Sequence, residues 1–145
     1  MRTNNPYYNR QIKAHPLYHG KQLRAPETDL RTIGDDKNPV FSFQFIDPKF
    51  SITECQNDDK IKFITRIVKL STMTWGDIKR SPRHQYGTEK IYRDSLRIKI
   101  PDHITPDTAI LALRFSELKP MLGYRDRDVF HIIGCDDKFK AYDHS

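Results

Sequence analysis

The chain has 145 residues, of which 37% are hydrophobic and 30% charged, with a formal net charge of +6 and a pI of about 9.3. This length fits one domain and leaves no room for a second full one, and eight Phe, seven Tyr and one Trp exclude the composition of a disordered chain. No apolar run reaches the roughly 20 residues that span a bilayer, and the N-terminus lacks the apolar centre of a secretory signal. We therefore expect a cytoplasmic protein with no membrane partner.

The basic charge is concentrated in the middle of the chain. Lys and Arg exceed Asp and Glu by eight within residues 60–99, whereas they fall short by three within residues 41–59 and by two within residues 100–145. A positive field of this kind favours an anionic partner, most commonly nucleic acid. The alternative is that these side chains only solvate an outer helix face.

The first 39 residues differ from the rest of the chain. Residues 1–39 contain four prolines and almost no periodic apolar pattern, which predicts an extended N-terminal arm. Residues 40–145 hold the periodic segments, and we predict that they form a single compact domain. Cys55 and Cys135 have no CxxC or CxxH partner, so we expect reduced, partly buried thiols rather than a disulfide or a zinc site.

The predicted domain begins with a strand over residues 40–46 and a helix over residues 60–70. Three Phe residues alternate with small or polar residues in the strand, which predicts three rings on one sheet face. Asn57–Asp59 offer N-cap oxygens for the helix. We expect its apolar residues to be buried against the sheet; they are Ile61, Phe63, Ile64, Ile67, Val68 and Leu70.

A second, shorter helix and a polar loop follow. Thr74 and Asp77 have the spacing of a capping box, and the helix that they begin ends before Pro82. Residues 83–87 form the predicted loop. Next, the sequence predicts strands over residues 89–92 and 96–100, the second with Leu96, Ile98 and Ile100 on one side.

The C-terminal part predicts an antiparallel meander. Its strands are residues 110–115, 121–125 and 129–135, which are rich in Ile, Leu, Phe, Val and Tyr. Asp residues at 126 and 128 suit a tight hairpin between the last two strands, and residues 139–142 are a candidate for a final short strand. The predicted fold class is α+β, with a small antiparallel sheet packed on a two-helix hairpin.

This element order resembles that of the RelE/ParE toxin superfamily. The likeness is carried by the helical hairpin at residues 58–80 and by the C-terminal residues 123–125, 129–133 and 139–142, which are similar to the family's last hairpin and its closing basic-x-Tyr pattern. The resemblance implies a β-α-α-β-β-β domain. It also implies cleavage of messenger RNA on the ribosome, or gyrase poisoning, and an antitoxin protein as partner. The long N-terminal arm and the loop at residues 102–108 depart from the family.

Cleavage of RNA through its 2′-hydroxyl requires a proton acceptor, a proton donor for the leaving oxygen, and cations that stabilise the phosphorane. It requires no metal ion or cofactor, and the sequence has no motif for either. Arg114 projects opposite Leu113 and Phe115, toward the sheet face that we expect to be open, and is the first candidate for phosphate stabilisation. His84 lies in a basic, aromatic loop that suits RNA, with an ordinary solvated loop as the alternative.

Two further candidates come from the resemblance. Tyr142 and His144 match the position where the RelE group often has a functional aromatic residue or histidine, although a terminal Tyr also commonly plugs the end of a sheet. His131 shares a face with apolar neighbours, which favours a structural histidine. The predicted RNA-binding residues are Lys62, Arg66, Lys69, Lys79, Arg80, Arg83 and Tyr86.

The sequence therefore supports a leading hypothesis and an alternative. The first is a RelE-like toxin domain that binds RNA or the ribosome and acts as a metal-independent endoribonuclease. The alternative is a non-catalytic module of phage or mobile-element origin that binds a protein or nucleic acid. Substitution of Arg114 or His84 separates the two, because only an enzyme loses activity while remaining folded.

Overall fold

The computed structural model describes residues 33–143, which fold into one α+β unit from Gly34 onward. The predicted arm therefore lies largely outside the described residues. None of the helices in residues 33–143 is long and apolar enough to cross a membrane. The elements in chain order are β1 (Val40–Ser42), α1 (Asn57–Ser71), α2 (Trp75–Arg80), β2 (Thr88–Ile91), β3 (Ile110–Ser116), β4 (Lys119–Asp126) and β5 (Val129–Cys135).

The predicted meander is confirmed and forms the centre of the sheet. The strand order is β1-β5-β4-β3-β2, and the pairs β2–β3, β3–β4 and β4–β5 are antiparallel. Both hairpins of the meander close with two-residue turns that begin at Glu117 and Arg127, whose φ angles are 55° and 58°. A positive φ at this position matches the right-handed twist of the flanking strands.

The prediction for the first strand was wrong in two respects. β1 pairs parallel with β5, so the sheet is mixed rather than antiparallel. The strand also ends at Ser42, because the Ser42 hydroxyl accepts the Gln44 N–H (3.2 Å) and the Phe43 carbonyl accepts the Ile46 N–H (3.2 Å), which turns the chain. Phe41 and Phe45 therefore lie on opposite faces of the sheet instead of sharing one.

The two helices cover one face of the sheet. Phe63 and Leu70 of α1 and Trp75 and Ile78 of α2 are fully buried against apolar side chains of β3, β4 and β5. The capping box of Thr74 and Asp77 is present as predicted. The predicted start of α1 was wrong, since the helix begins at Asn57 rather than after a cap within residues 57–59, and Gln56 occupies the cap position.

Three apolar residues that were predicted to be buried are exposed. Ile61, Ile64 and Val68 are 67%, 60% and 61% exposed. Their spacing places them on the side of α1 opposite Phe63 and Leu70. The six apolar positions span about half of the helix circumference, which is wider than the part that contacts the sheet. The exposed residues therefore form an apolar stripe on the outer side of the helix.

The second face of the sheet is also covered, contrary to the expectation of an open face. The segment 92–108 and the C-terminal residues 140–142 pack on it and bury Ile98, Ile104 and Tyr142. The strands predicted at residues 96–100 and 139–142 do not form. Within the described residues, these two segments share only an isolated β-bridge between Leu96 and Tyr142. The segments lie on the sheet face rather than along its edge, so their backbones form no ladder.

Buried polar groups fix this second layer. The Asp136 carboxylate accepts hydrogen bonds from the backbone N–H groups of Lys140 (2.6 Å) and Ala141 (3.0 Å). Its own N–H donates to the Pro120 carbonyl at 2.8 Å. Because Asp136 is only 1% exposed, these bonds hold the C-terminal residues firmly against the sheet.

Candidate active site

A cluster of charged side chains lies where β2 and β3 meet the second layer. Nη2 of Arg114 donates a hydrogen bond to Oε1 of Glu89 at 2.5 Å. Arg114 is buried, with 8% of its surface exposed. The other carboxylate oxygen of Glu89 lies 3.4 Å from Nη1 of Arg83. The Nε of Arg83 in turn donates to Nε2 of His84 at 3.4 Å. The cluster thus holds one carboxylate between two guanidinium groups, with an imidazole at its outer end.

The loop before β2 brings Arg83 and His84 to this position. Gly87 donates its N–H to the Pro82 carbonyl (3.0 Å), and Tyr86 donates its N–H to the Ser81 hydroxyl (3.1 Å). A Cβ on Gly87 would lie 2.1 Å from the Ser81 carbonyl oxygen, so only glycine fits. The loop is therefore closed tightly enough to hold Arg83 beside Glu89.

Tyr142 completes the cluster from the C-terminal segment. Burial raises the pKa of the Tyr142 phenol, against the charge and the hydrogen bond of Arg114, which lower it. The net effect is a pKa above the ordinary value of 10.0, so the phenol is protonated at neutral pH. Within the described chain, Nε and Nη1 of Arg114 are buried without a hydrogen-bond partner. Such unused donors are uncommon in a protein interior and favour an anion close by.

The cluster contains most of the predicted catalytic residues. Arg114 and Tyr142 interact directly, and His84 is connected to them through Arg83 and Glu89. His144 lies outside the described residues. Glu89 was missed by the sequence analysis. Its signal was a lone acid in a basic stretch, on a predicted strand and on the same side as Ile91.

Part of the predicted RNA-binding set lies close to the cluster. The Arg66 guanidinium lies 4.8 Å, and the Lys69 ammonium 5.6 Å, from the centre of the Tyr86 ring. Nη1 of Arg66 also donates to the carbonyls of Gln85 (2.7 Å) and Arg114 (2.9 Å). Arg66 therefore joins α1 to the loop and, through the backbone carbonyl of residue 114, to β3.

The other predicted RNA-binding cations are dispersed. Lys79 pairs with Asp35 at 2.9 Å, and Arg80 pairs with Asp77 at 2.7 Å, both on the outer side of α2. Lys62 is exposed on α1, on its solvent side. The structure thus divides the predicted basic surface into a part beside Tyr86 and a part that carboxylates neutralise.

No protein-family model, curated protein or solved structure matches this chain.

Proposed function

We propose that this RelE-like domain binds single-stranded RNA, free or on the ribosome, and cleaves it as a metal-independent endoribonuclease. The observation that carries the proposal is the position of Glu89. Its carboxylate lies between Arg83 and Arg114, and its side chain keeps 29% of its surface exposed. A carboxylate between two cations and within reach of solvent, with an imidazole on the far side of Arg83, has the groups that 2′-hydroxyl transfer requires.

The roles follow from the chemistry of the reaction. Glu89 takes the proton of the 2′-hydroxyl, whose oxygen attacks the adjacent phosphorus. His84 gives a proton to the 5′-oxygen as the phosphorus–oxygen bond breaks, for which its Nε2 must be released from the hydrogen bond with Arg83 and protonated. The products are a 2′,3′-cyclic phosphate and a 5′-hydroxyl. Arg83 and Arg114 stabilise the charge of the phosphorane, and Tyr142 positions Arg114.

The test is a comparison of two substitutions on the same strand. Glu89→Gln keeps an acceptor for Arg114 but cannot take a proton, whereas Lys90→Gln removes an exposed charge from the opposite face of β2. Cleavage of end-labelled RNA is measured in EDTA, with and without purified ribosomes. We expect the Glu89 variant to lose about 10²–10⁴-fold in rate and the Lys90 variant to retain activity within about twofold.

The products and the stability of the variants complete this test. A cyclic phosphate end supports the proposed reaction, and the fluorescence of Trp75, which is buried on the helix side, reports folding. Absence of cleavage by the wild type in both conditions, or full activity of the Glu89 variant, contradicts the proposal.

A second candidate function is favoured by the apolar stripe of Ile61, Ile64 and Val68. Helical spacing places Lys60 along one border of this stripe, and Lys62 and Lys69, together with the acidic Asp58, along the other. Apolar surface bordered by cations suits an amphipathic helix with acidic borders from a partner protein, as an antitoxin would supply. A second copy of the chain would place lysines against lysines, and residues 1–32, with six basic and two acidic residues, are also of the wrong charge.

A synthetic helix tests this second function. The probe is an amphipathic peptide with a leucine stripe and Glu on both borders, and its control has Lys in place of Glu. We expect calorimetry to detect binding of the acidic peptide alone, and Ile64→Ser with Val68→Ser to abolish it. If both peptides bind equally well, or if neither binds, the protein-binding role is refuted.

A further inference from the structure

An open groove of about 820 Å³ lies between residues 45–50 and 96–103. Its two walls are held by Asp47, whose Oδ1 accepts the Lys49 N–H (3.0 Å) and whose Oδ2 accepts the Lys99 N–H (3.2 Å). The Asp47 N–H donates to the Ile133 carbonyl of β5 at 2.9 Å. The groove is therefore built into the sheet and does not require ordering when a ligand binds.

The groove combines uncompensated cations with aromatic rings. Lys49, Arg97 and Lys99 are exposed along it, and none forms an ion pair within residues 33–143, in contrast to the cations of α2. Phe45 lines the groove beside His103, with ring centres 4.6 Å apart. The carboxylate of Asp47 is occupied by backbone donors, and Asp102 is the other acid lining the groove, so positive charge predominates.

The groove begins next to the candidate active site. The Arg97 N–H donates to the Ala141 carbonyl at 2.7 Å, and Leu96 forms the bridge with Tyr142. Tyr142 in turn interacts with Arg114. The wall of the groove and the candidate active site are thus joined through the backbone of residues 141–142.

We propose that the groove binds a nucleotide unit of a single-stranded nucleic acid, with the base against Phe45 and His103 and the phosphates against Lys49, Arg97 and Lys99. A volume of this size lies within the range of about 300–1,000 Å³ that small-ligand sites occupy. Aromatic stacking with basic side chains along the backbone is the usual mode of single-strand binding. The proposal rests on the proposed function insofar as it assigns this nucleotide to the strand that Glu89 cleaves.

Binding is measured separately from cleavage. The probe is a fluorescein-labelled 2′-O-methyl RNA hexamer, which has the charge of RNA but no nucleophilic hydroxyl, and anisotropy is recorded at several KCl concentrations. Lys49→Gln with Lys99→Gln should reduce the slope of log affinity against log salt by about 1.4, since each phosphate contact on a single strand contributes about 0.7. The control, Lys37→Gln with Lys90→Gln, removes the same charge elsewhere and should leave the slope within about 0.4.

A second probe tests the contact with the base. An abasic hexamer of the same length should bind roughly fivefold or more weakly, because stacking of a base contributes about 1–3 kcal/mol. If the wild type fails to bind the hexamer, or if the Lys49 and Lys99 variant binds like the control, the groove proposal is wrong, whatever happens to cleavage. Suppose instead that the wild type binds the hexamer but cleaves no RNA, and that the Lys49 and Lys99 variant binds the hexamer more weakly. This result would overturn the proposed reaction and leave the groove proposal in place.

Discussion

Gly134 of β5 tests the second layer that covers the sheet. A Cβ at this position would lie 2.0 Å from Cδ1 of Ile98 and 3.0 Å from Cβ of Phe50. Since carbon atoms in contact are about 3.5–4.0 Å apart, Gly134→Ala must displace the Ile98 methyl by about 1.5–2 Å. Overpacking of this kind costs about 1–3 kcal/mol of the free energy of unfolding. The clash is with one methyl group, so it can be relieved selectively.

Ile98→Val removes that methyl group and alone costs about 0.5–1.5 kcal/mol. We expect the double variant to be more stable than the sum of the two single effects by at least about 1 kcal/mol, because the clash is absent. Urea denaturation, followed through Trp75 fluorescence, measures all four proteins of the cycle.

Gly123→Ala provides the matched control. Its Cβ would lie 2.2 Å from the His131 carbonyl oxygen and 2.8 Å from Cζ of Phe130, with no contribution from Ile98. The same cycle with Ile98→Val should therefore be additive within about 0.5 kcal/mol. Additivity in the Gly134 cycle, or coupling of equal size in both, would refute the packing of Ile98 on β5.

Two other predictions concern protonation and the outer side of α1. Burial lowers the pKa of His131 below its ordinary value of 6.5; the charge of Asp126 opposes this shift, and the charge of His103 adds to it. The unfolded state then takes up the proton more readily, so the free energy of unfolding should decrease as pH falls from about 7 to 5. The decrease should be less steep in His131→Asn, and equal slopes in the two proteins would contradict this prediction. Ile64→Ser should change the free energy of unfolding by less than about 0.5 kcal/mol, whereas Phe63→Ala should cost about 3–5 kcal/mol; similar effects in urea denaturation would place both side chains in the core.

The meander and the two helices were predictable because their signals are local. Alternation of apolar residues, Asp at the hairpin and the capping box of Thr74 each depend on neighbours within a few positions. The parallel pairing of β1 with β5 joins residues almost 90 positions apart, as Val40 and Val129 do. Local patterns carry no information about such a pair. For the same reason, segments of the second layer were predicted to be strands, because their alternation is local and their position on the sheet face is not.

The candidate site shows the same division. Arg114 was identified because alternation fixes the face of a strand to which a side chain points. Its partner Glu89 becomes recognisable only when β2 is known to lie beside β3, with Glu89 opposite Ala112. The groove was missed entirely, since its walls are joined by backbone hydrogen bonds from residues 49 and 99 to a single carboxylate.

The second layer also changes how Arg114 must be interpreted. On an open sheet face its charge would be solvated, and a phosphate would compete with water for it. Under the cover of Tyr142 and the segment 92–108, the guanidinium is desolvated, and each interaction with an anion is stronger than in water. Removal of Glu89 as an anion therefore leaves an uncompensated buried cation, which a bound phosphate is able to satisfy. On this argument, phosphate should stabilise Glu89→Gln against urea more than it stabilises the wild type.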